Sequence, residues 1–188
     1  MDSTSNTGLL NLLTLIGGAA PALLALVLAI FSVVGVIMVG TAIKGFYDLT
    51  AYGTYGHGGY QHRTNGGLMW RLFIGAVLTS LPVAIGVLGN SVFGTDVASG
   101  LMAYQTGGMS AVQRAALDGI FKLFALLGVM SFGHGWMELN RHKSGAANVS
   151  PRAPLVWIGA GLGLIYLPQV LKVIAWLTGI DVLNLLLF

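Results

Sequence analysis

A chain of 188 residues in which 55% are hydrophobic and 8% charged stands far from a soluble domain, where roughly a quarter of residues are charged. With a mean hydropathy of +0.82 it is excluded from the soluble globular class and equally from the disordered one, which needs low hydrophobicity and high net charge. The net charge is +3 from nine Lys and Arg, too few for a nucleic-acid footprint unless they cluster, and the absence of cysteine removes disulfides, thiolate metal sites and a cysteine nucleophile.

Residues 3–43 contain no charge. As one helix they would measure roughly 60 Å, twice a hydrocarbon core of about 30 Å, so a break is expected at Gly17, Gly18 and Pro21. Before that break, Leu9, Leu12, Leu13 and Ile16 recur at helical spacing opposite Thr7, Asn11 and Thr14, which predicts an amphipathic interfacial segment over 1–20. No Lys or Arg precedes the apolar stretch, so it lacks the usual sign of a cleavable signal peptide.

Four spanning helices are predicted next, at about 21–46, 68–89, 115–139 and 154–178, each near the roughly 20 residues a bilayer requires. The segments are apolar on nearly every face, unlike the alternating strands of a membrane barrel. The expected class is therefore an all-α integral membrane protein. Its parts are the N-terminal segment, a first helical hairpin over 21–89, a non-cytoplasmic connector over 90–114, a second hairpin over 115–179 and an apolar tail over 180–188. Lys44, Arg63, Arg71, Arg141, Lys143 and Arg152, six of the nine basic residues, fall in or beside the loops after the first and third spans. By the positive-inside rule, loops 47–67 and 140–153 are cytoplasmic.

The chain also resembles itself. At an offset of 90, Ile30, Phe31, Val39, Gly45 and Leu49 meet Ile120, Phe121, Val129, Gly135 and Leu139, while Lys44, Phe46 and Asp48 meet His134, Trp136 and Glu138. At an offset of 86, Gly75, Leu78, Leu81 and Pro82 meet Gly161, Leu164, Leu167 and Pro168. This predicts two hairpins in the same orientation, a parallel repeat.

Several residues carry both a functional and a plainer reading. Lys44 and Asp48, like His134 and Glu138, are four apart and share a helix face; each pair is either a proton relay or docking pair, or an interfacial pair satisfied by snorkelling. Asp118 and Lys122 have the same spacing. Four histidines without ligand spacing argue for no metal site. The loop AYGTYGHGGYQHRTNGG, with six glycines between Tyr52, Tyr55 and Tyr60, lacks a nucleotide loop's context and reads as a flexible interfacial loop. Gly159, Gly161 and Gly163, like Gly35, Gly40, Gly128 and Gly133, are candidates for close helix approach. Gly45 and Gly135, each followed by an aromatic, Phe46 or Trp136, are expected where two halves or two copies come closest. Pro82 and Pro168 predict kinks within the second and fourth spans. No nucleophile and base arrangement is present, so no catalytic, cofactor-binding or metal residue is expected and no cofactor beyond bound phospholipid.

The stretches VGVIMVGTAIKGFYDLTAYG (34–53), RLFIGAVLTSLPVAI (71–85), SVFG (91–94), MAYQ (102–105) and FALLGVMSFGHGWMELNRHKSG (124–145) together resemble the IcmC/DotE family of Dot/Icm secretion systems and the TraQ-like proteins of I-type conjugative plasmids. The resemblance runs from about Pro21 to Gly145. It implies a small polytopic, non-enzymatic subunit of a bacterial type IVB secretion or conjugation apparatus that contacts itself, membrane lipids and other subunits. Two alternatives stand beside an inner-membrane subunit: a pilin of an extracellular conjugative filament polymerised with lipid, and a small membrane transporter or ion pathway. No sequence-specific nucleic-acid binding is expected of any of them.

Overall fold

The computed structural model describes residues 3–52, 65–94, 111–143, 150 and 152–179. The expectations placed on the Gly/Tyr/His-rich loop, on most of the connector and on the apolar tail lie outside these residues.

Among the described residues the protein is all helical, with six helices and no strand: α1 Ser3–Tyr52, α2 Asn65–Thr79, α3 Leu81–Phe93, α4 Ala111–Lys143, α5 Arg152–Ile165 and α6 Leu167–Thr178. Two stretches, Gly17–Ala51 and Ala115–Lys143, are long and apolar enough to cross a membrane. The pairs α2 with α3 and α5 with α6 pass the same test jointly, which gives up to four spans if each bent pair counts as one.

Two sequence expectations are corrected here. The break at Gly17, Gly18 and Pro21 does not occur, because α1 is one 50-residue helix with Pro21 inside it. A proline removes one backbone hydrogen bond and crowds the carbonyl four residues earlier. That residue is Gly17, which is buried and packs on the backbone of Gly119 in α4, so the helix is held on the turn that the proline weakens. The second correction concerns the predicted spans 68–89 and 154–178. Both are interrupted, at Ser80 and at Tyr166, by bends of 88° and 89°.

The cause of the bends is a shared Leu-Pro dipeptide. Proline has no N–H to donate and disfavours helical geometry in the residue before it, yet it suits the first turn of a new helix. Pro82 and Pro168 each sit second in the following helix, so the proline starts a helix instead of kinking one. The turn at Ser80 is bridged by Ser80 N–H to the Ala76 carbonyl and Ala84 N–H to the Ser80 carbonyl, both 3.0 Å. At Tyr166 the corresponding bonds run from Tyr166 N–H to Leu162 and from Gln169 and Val170 N–H to the Tyr166 carbonyl. Both following helices are succeeded by a left-handed glycine, Gly94 at φ 65° and Gly179 at φ 69°, whose N–H groups close on Asn90 and Ala175 carbonyls at 2.9 Å.

The chain divides into two compact units. The first comprises residues up to Leu26, Ile85–Val129 and the chain from Gly161 on; the second comprises Val27–Ala84 and Met130–Ala160. Ile85, Phe121, Val129, Ile165 and Tyr166 are buried in the first unit. Phe31, Ala42, Leu68, Ile74, Leu78, Leu81 and Phe132 are buried in the second.

Glycine sets the helix spacing in each unit. In the second, a methyl added to Gly35 of α1 would lie 2.5 Å from the Thr79 nitrogen and 2.7 Å from the Gly75 carbonyl of α2. In the first, a methyl on Gly128 of α4 would lie 2.7 Å from the Gly161 carbonyl of α5. Those distances leave no room for a side chain, so helices approach there backbone to backbone, as small residues allow in membrane proteins.

Candidate functional site

Lys44, Asp48, His134, Trp136 and Glu138 lie in the second unit, toward the ends of α1 and α4. Local sequence explains the placement. An α4 that carries no Asp, Glu, Lys or Arg between Lys122 and Glu138 and then reads Asn140, Arg141, His142 and Lys143 gathers cations in its last turn, where the helix dipole favours them.

The aromatic cluster is built from α2 and α4. Trp70 stacks on Phe73 with ring centres 5.4 Å apart, and Trp136 meets Phe73 and Phe132 edge-on, each at 6.2 Å. On the neighbouring helix α5, Trp157 takes the edge of the His134 ring at 5.5 Å, and its carbonyl accepts a 3.1 Å hydrogen bond from the Ser131 hydroxyl. Such contacts contribute about 0.5 to 1.5 kcal/mol per aromatic pair beyond area burial. They hold α2 and α5 against α4.

His134 and Glu138 do not form the pair their spacing suggested. His134 is exposed and lies on Trp157, while the Glu138 Oε1 faces Arg141 at 3.7 Å and its Oε2 is buried without a partner. A helical i, i+4 spacing permits a pair, but the ring contact draws His134 toward α5 instead. Asp118 and Lys122, in the first unit, do pair, at 2.6 Å. Lys44 is exposed and Asp48 half-buried on α1.

Gly45 and Gly135 are both buried at close approaches, but between α1 and α2 and between α4 and α5, not against each other. A methyl on Gly45 would lie 2.5 Å from Leu68 Cδ2 of α2; one on Gly135 would lie 2.7 Å from Ile158 Cγ1 and 3.0 Å from the Pro154 carbonyl of α5. Phe46, the neighbour of Gly45, is half-buried. Gly161 is buried at the crossing with Gly128. Gly159 and Gly163 have open space where a side chain would stand, so they serve no close helix contact among the described residues.

Three features escaped sequence reasoning. Trp70 and Trp136 keep buried indole nitrogens, and Arg71 a buried Nε, with no hydrogen-bond partner among the described residues. Lys143 holds its Nζ 5.6 Å from the centre of the Trp70 ring, a cation–π arrangement. In the first unit Gln169 is 7% exposed with neither amide atom partnered. The only sequence signal for the first two was the tryptophan placed near each basic helix end; for Gln169 it was a polar residue directly after Leu-Pro.

Among the described residues the arrangement offers cations, indole donors and apolar rings. No family model matches this chain, and no curated protein or solved structure is detectably similar to it.

Proposed function

We propose that this chain is a non-enzymatic, self-associating subunit of a type IVB secretion or conjugative DNA-transfer apparatus, held in the bacterial inner membrane by several spans with loops 47–67 and 140–153 cytoplasmic. The observation that carries self-association is the combination of large exposed apolar residues on α1, among them Leu26, Ile30, Val33 and Ile37, with glycines that face open space, Gly40 on α1 and Gly159 and Gly163 on α5. Small residues on an otherwise apolar helix face let a second helix approach closely. The segment resemblances between Pro21 and Gly145 supply the apparatus.

The fold of this proposed subunit is two parallel-repeat hairpins, α1 to α3 and α4 to α6. Matched details support that reading. The breaks at Ser80 and Tyr166 are 86 residues apart. Gly45 faces Leu68 as Gly135 faces Pro154, and Gly75 and Gly161 take the same place in their helix crossings.

Gly135→Leu tests the proposal. Overpacking against Ile158 and Pro154 costs about 1 to 3 kcal/mol, so the variant should accumulate in membranes yet fail to enter the assembled complex, with transfer of DNA or effector reduced accordingly. A deletion that leaves transfer at the wild-type frequency sinks the reading altogether. The filament alternative is separated by mass spectrometry of purified sheared filaments, which contain this chain only if it is a pilin. A transporter is favoured by one observation, the two near-right-angle breaks at matching positions, since broken spans build ion sites in transporters. Reconstituted protein without ion flux removes it.

A further inference from the structure

On α2, Gly66, Met69, Trp70 and Phe73 share one face by their spacing of three and four. At the start of that face lies an open cavity of about 360 Å³ lined by Gly66, Gly67, Trp70 and Lys143. Beyond it the face stays apolar and uncovered, with Met69 64% and Phe73 47% exposed. Lys143 is exposed and, among the described residues, meets no carboxylate; Glu138, the acidic residue of the same helix end, is turned to Arg141. Trp70 brings a buried indole N–H that has no acceptor.

A cation at the rim of a recess, followed by an apolar strip along the same helix face, matches a molecule with an anionic head and hydrocarbon chains. A free phosphate would use the cation and leave the strip uncovered. We propose that this face binds an anionic phospholipid of the phosphatidylglycerol type, with its phosphate on Lys143 and an acyl chain along Met69 and Phe73. The cation–π contact with Trp70 holds the Lys143 ammonium at the cavity mouth. A lysine at a membrane surface favours an anionic lipid by about fivefold.

The test uses the full chain, purified in detergent and stripped of lipid. Native mass spectrometry and thermal unfolding are recorded with phosphatidylglycerol, with phosphatidylcholine and with inorganic phosphate. The expected result is phosphatidylglycerol retained about fivefold over phosphatidylcholine, with a matching rise in Tm and none from inorganic phosphate. Lys143→Gln should abolish the preference, Lys143→Arg should keep it, and Lys122→Gln, on the ion-paired lysine of the first unit, should leave it unchanged. Equal retention of the two lipids, a preference that survives Lys143→Gln, or equal stabilisation by inorganic phosphate overturns the assignment.

Discussion

The two helix breaks begin from the same dipeptide and end as different structures. At the first, Ser80 is exposed and its hydroxyl turns back to the Ala76 carbonyl at 2.9 Å, so among the described residues its side chain reaches no other helix. At the second, Tyr166 is 1% exposed, stacks on Phe93 with ring centres 5.1 Å apart and donates its hydroxyl to the Ile85 carbonyl at 3.4 Å. Its ring also fills the space above Gly89, where any added methyl would overlap it. A proline decides that a chain bends; the residue at the turn decides whether the bend is anchored to another helix. At the second elbow the turn residue itself reaches another helix, whereas at the first the contacts come from its neighbours, the buried Leu78 and Leu81.

The sharpest way to break this comparison is to remove the anchor. Tyr166→Ala takes a fully buried ring out of the contact with Phe93 and Gly89, and large aromatic-to-alanine changes cost about 3 to 5 kcal/mol. Ser80→Ala should stay within about 0.5 kcal/mol, as exposed substitutions do. Unfolding of the two variants in detergent micelles measures the difference, and equal losses would mean that the elbows are equivalent after all.

A smaller effect is expected when the anchor is crowded instead of removed. Gly89→Ala drives a methyl against the Tyr166 ring, and overpacking of this kind costs about 1 to 3 kcal/mol. Gly86→Ala, one turn earlier in α3 with open space around it, is the control and should be close to neutral. If Gly89→Ala is equally harmless, Tyr166 has room to move and is no anchor.

The smallest effect sharpens the picture of the same elbow. Gln169, three residues past Tyr166, buries both amide atoms without partners, and an unmet buried polar group costs about 1 to 3 kcal/mol. Gln169→Met keeps the volume and removes the polar atoms, so it should stabilise the protein by about 1 kcal/mol. A loss of stability in the same unfolding assay would show that the amide has a hydrogen-bond partner at the elbow.

Local rules account for what could be read in advance. The all-helical character follows from apolar segments long enough to span a bilayer, and the interruptions at Ser80 and Tyr166 follow from Leu-Pro, although a kink was expected where the chain turns through nearly 90°. At Pro21 the same local rule failed. A proline's cost is a few kcal/mol, and the packing of Gly17 on Gly119 offsets it in α1, whereas Pro82 and Pro168 begin new helices. The candidate site was legible in its ingredients, Trp136, His134, Glu138 and Gly135, and not in its pairings. His134 to Trp157 and Glu138 to Arg141 replace the pair that spacing suggested, because spacing on one helix says nothing about what the neighbouring helix presents.

Sequence alone therefore determined the class, the apolar helices, the points where proline ends them and the glycines small enough for close approach. These depend on one residue and its near neighbours along the chain. Only the tertiary structure decided that Gly45 packs on α2 and Gly135 on α5, that Gly159 and Gly163 face open space, and that the Tyr166 side chain reaches another helix while that of Ser80 does not. Those outcomes depend on residues tens of positions apart, such as Ile85 and Tyr166, whose meeting is fixed by how helices pack and not by the period of any one of them.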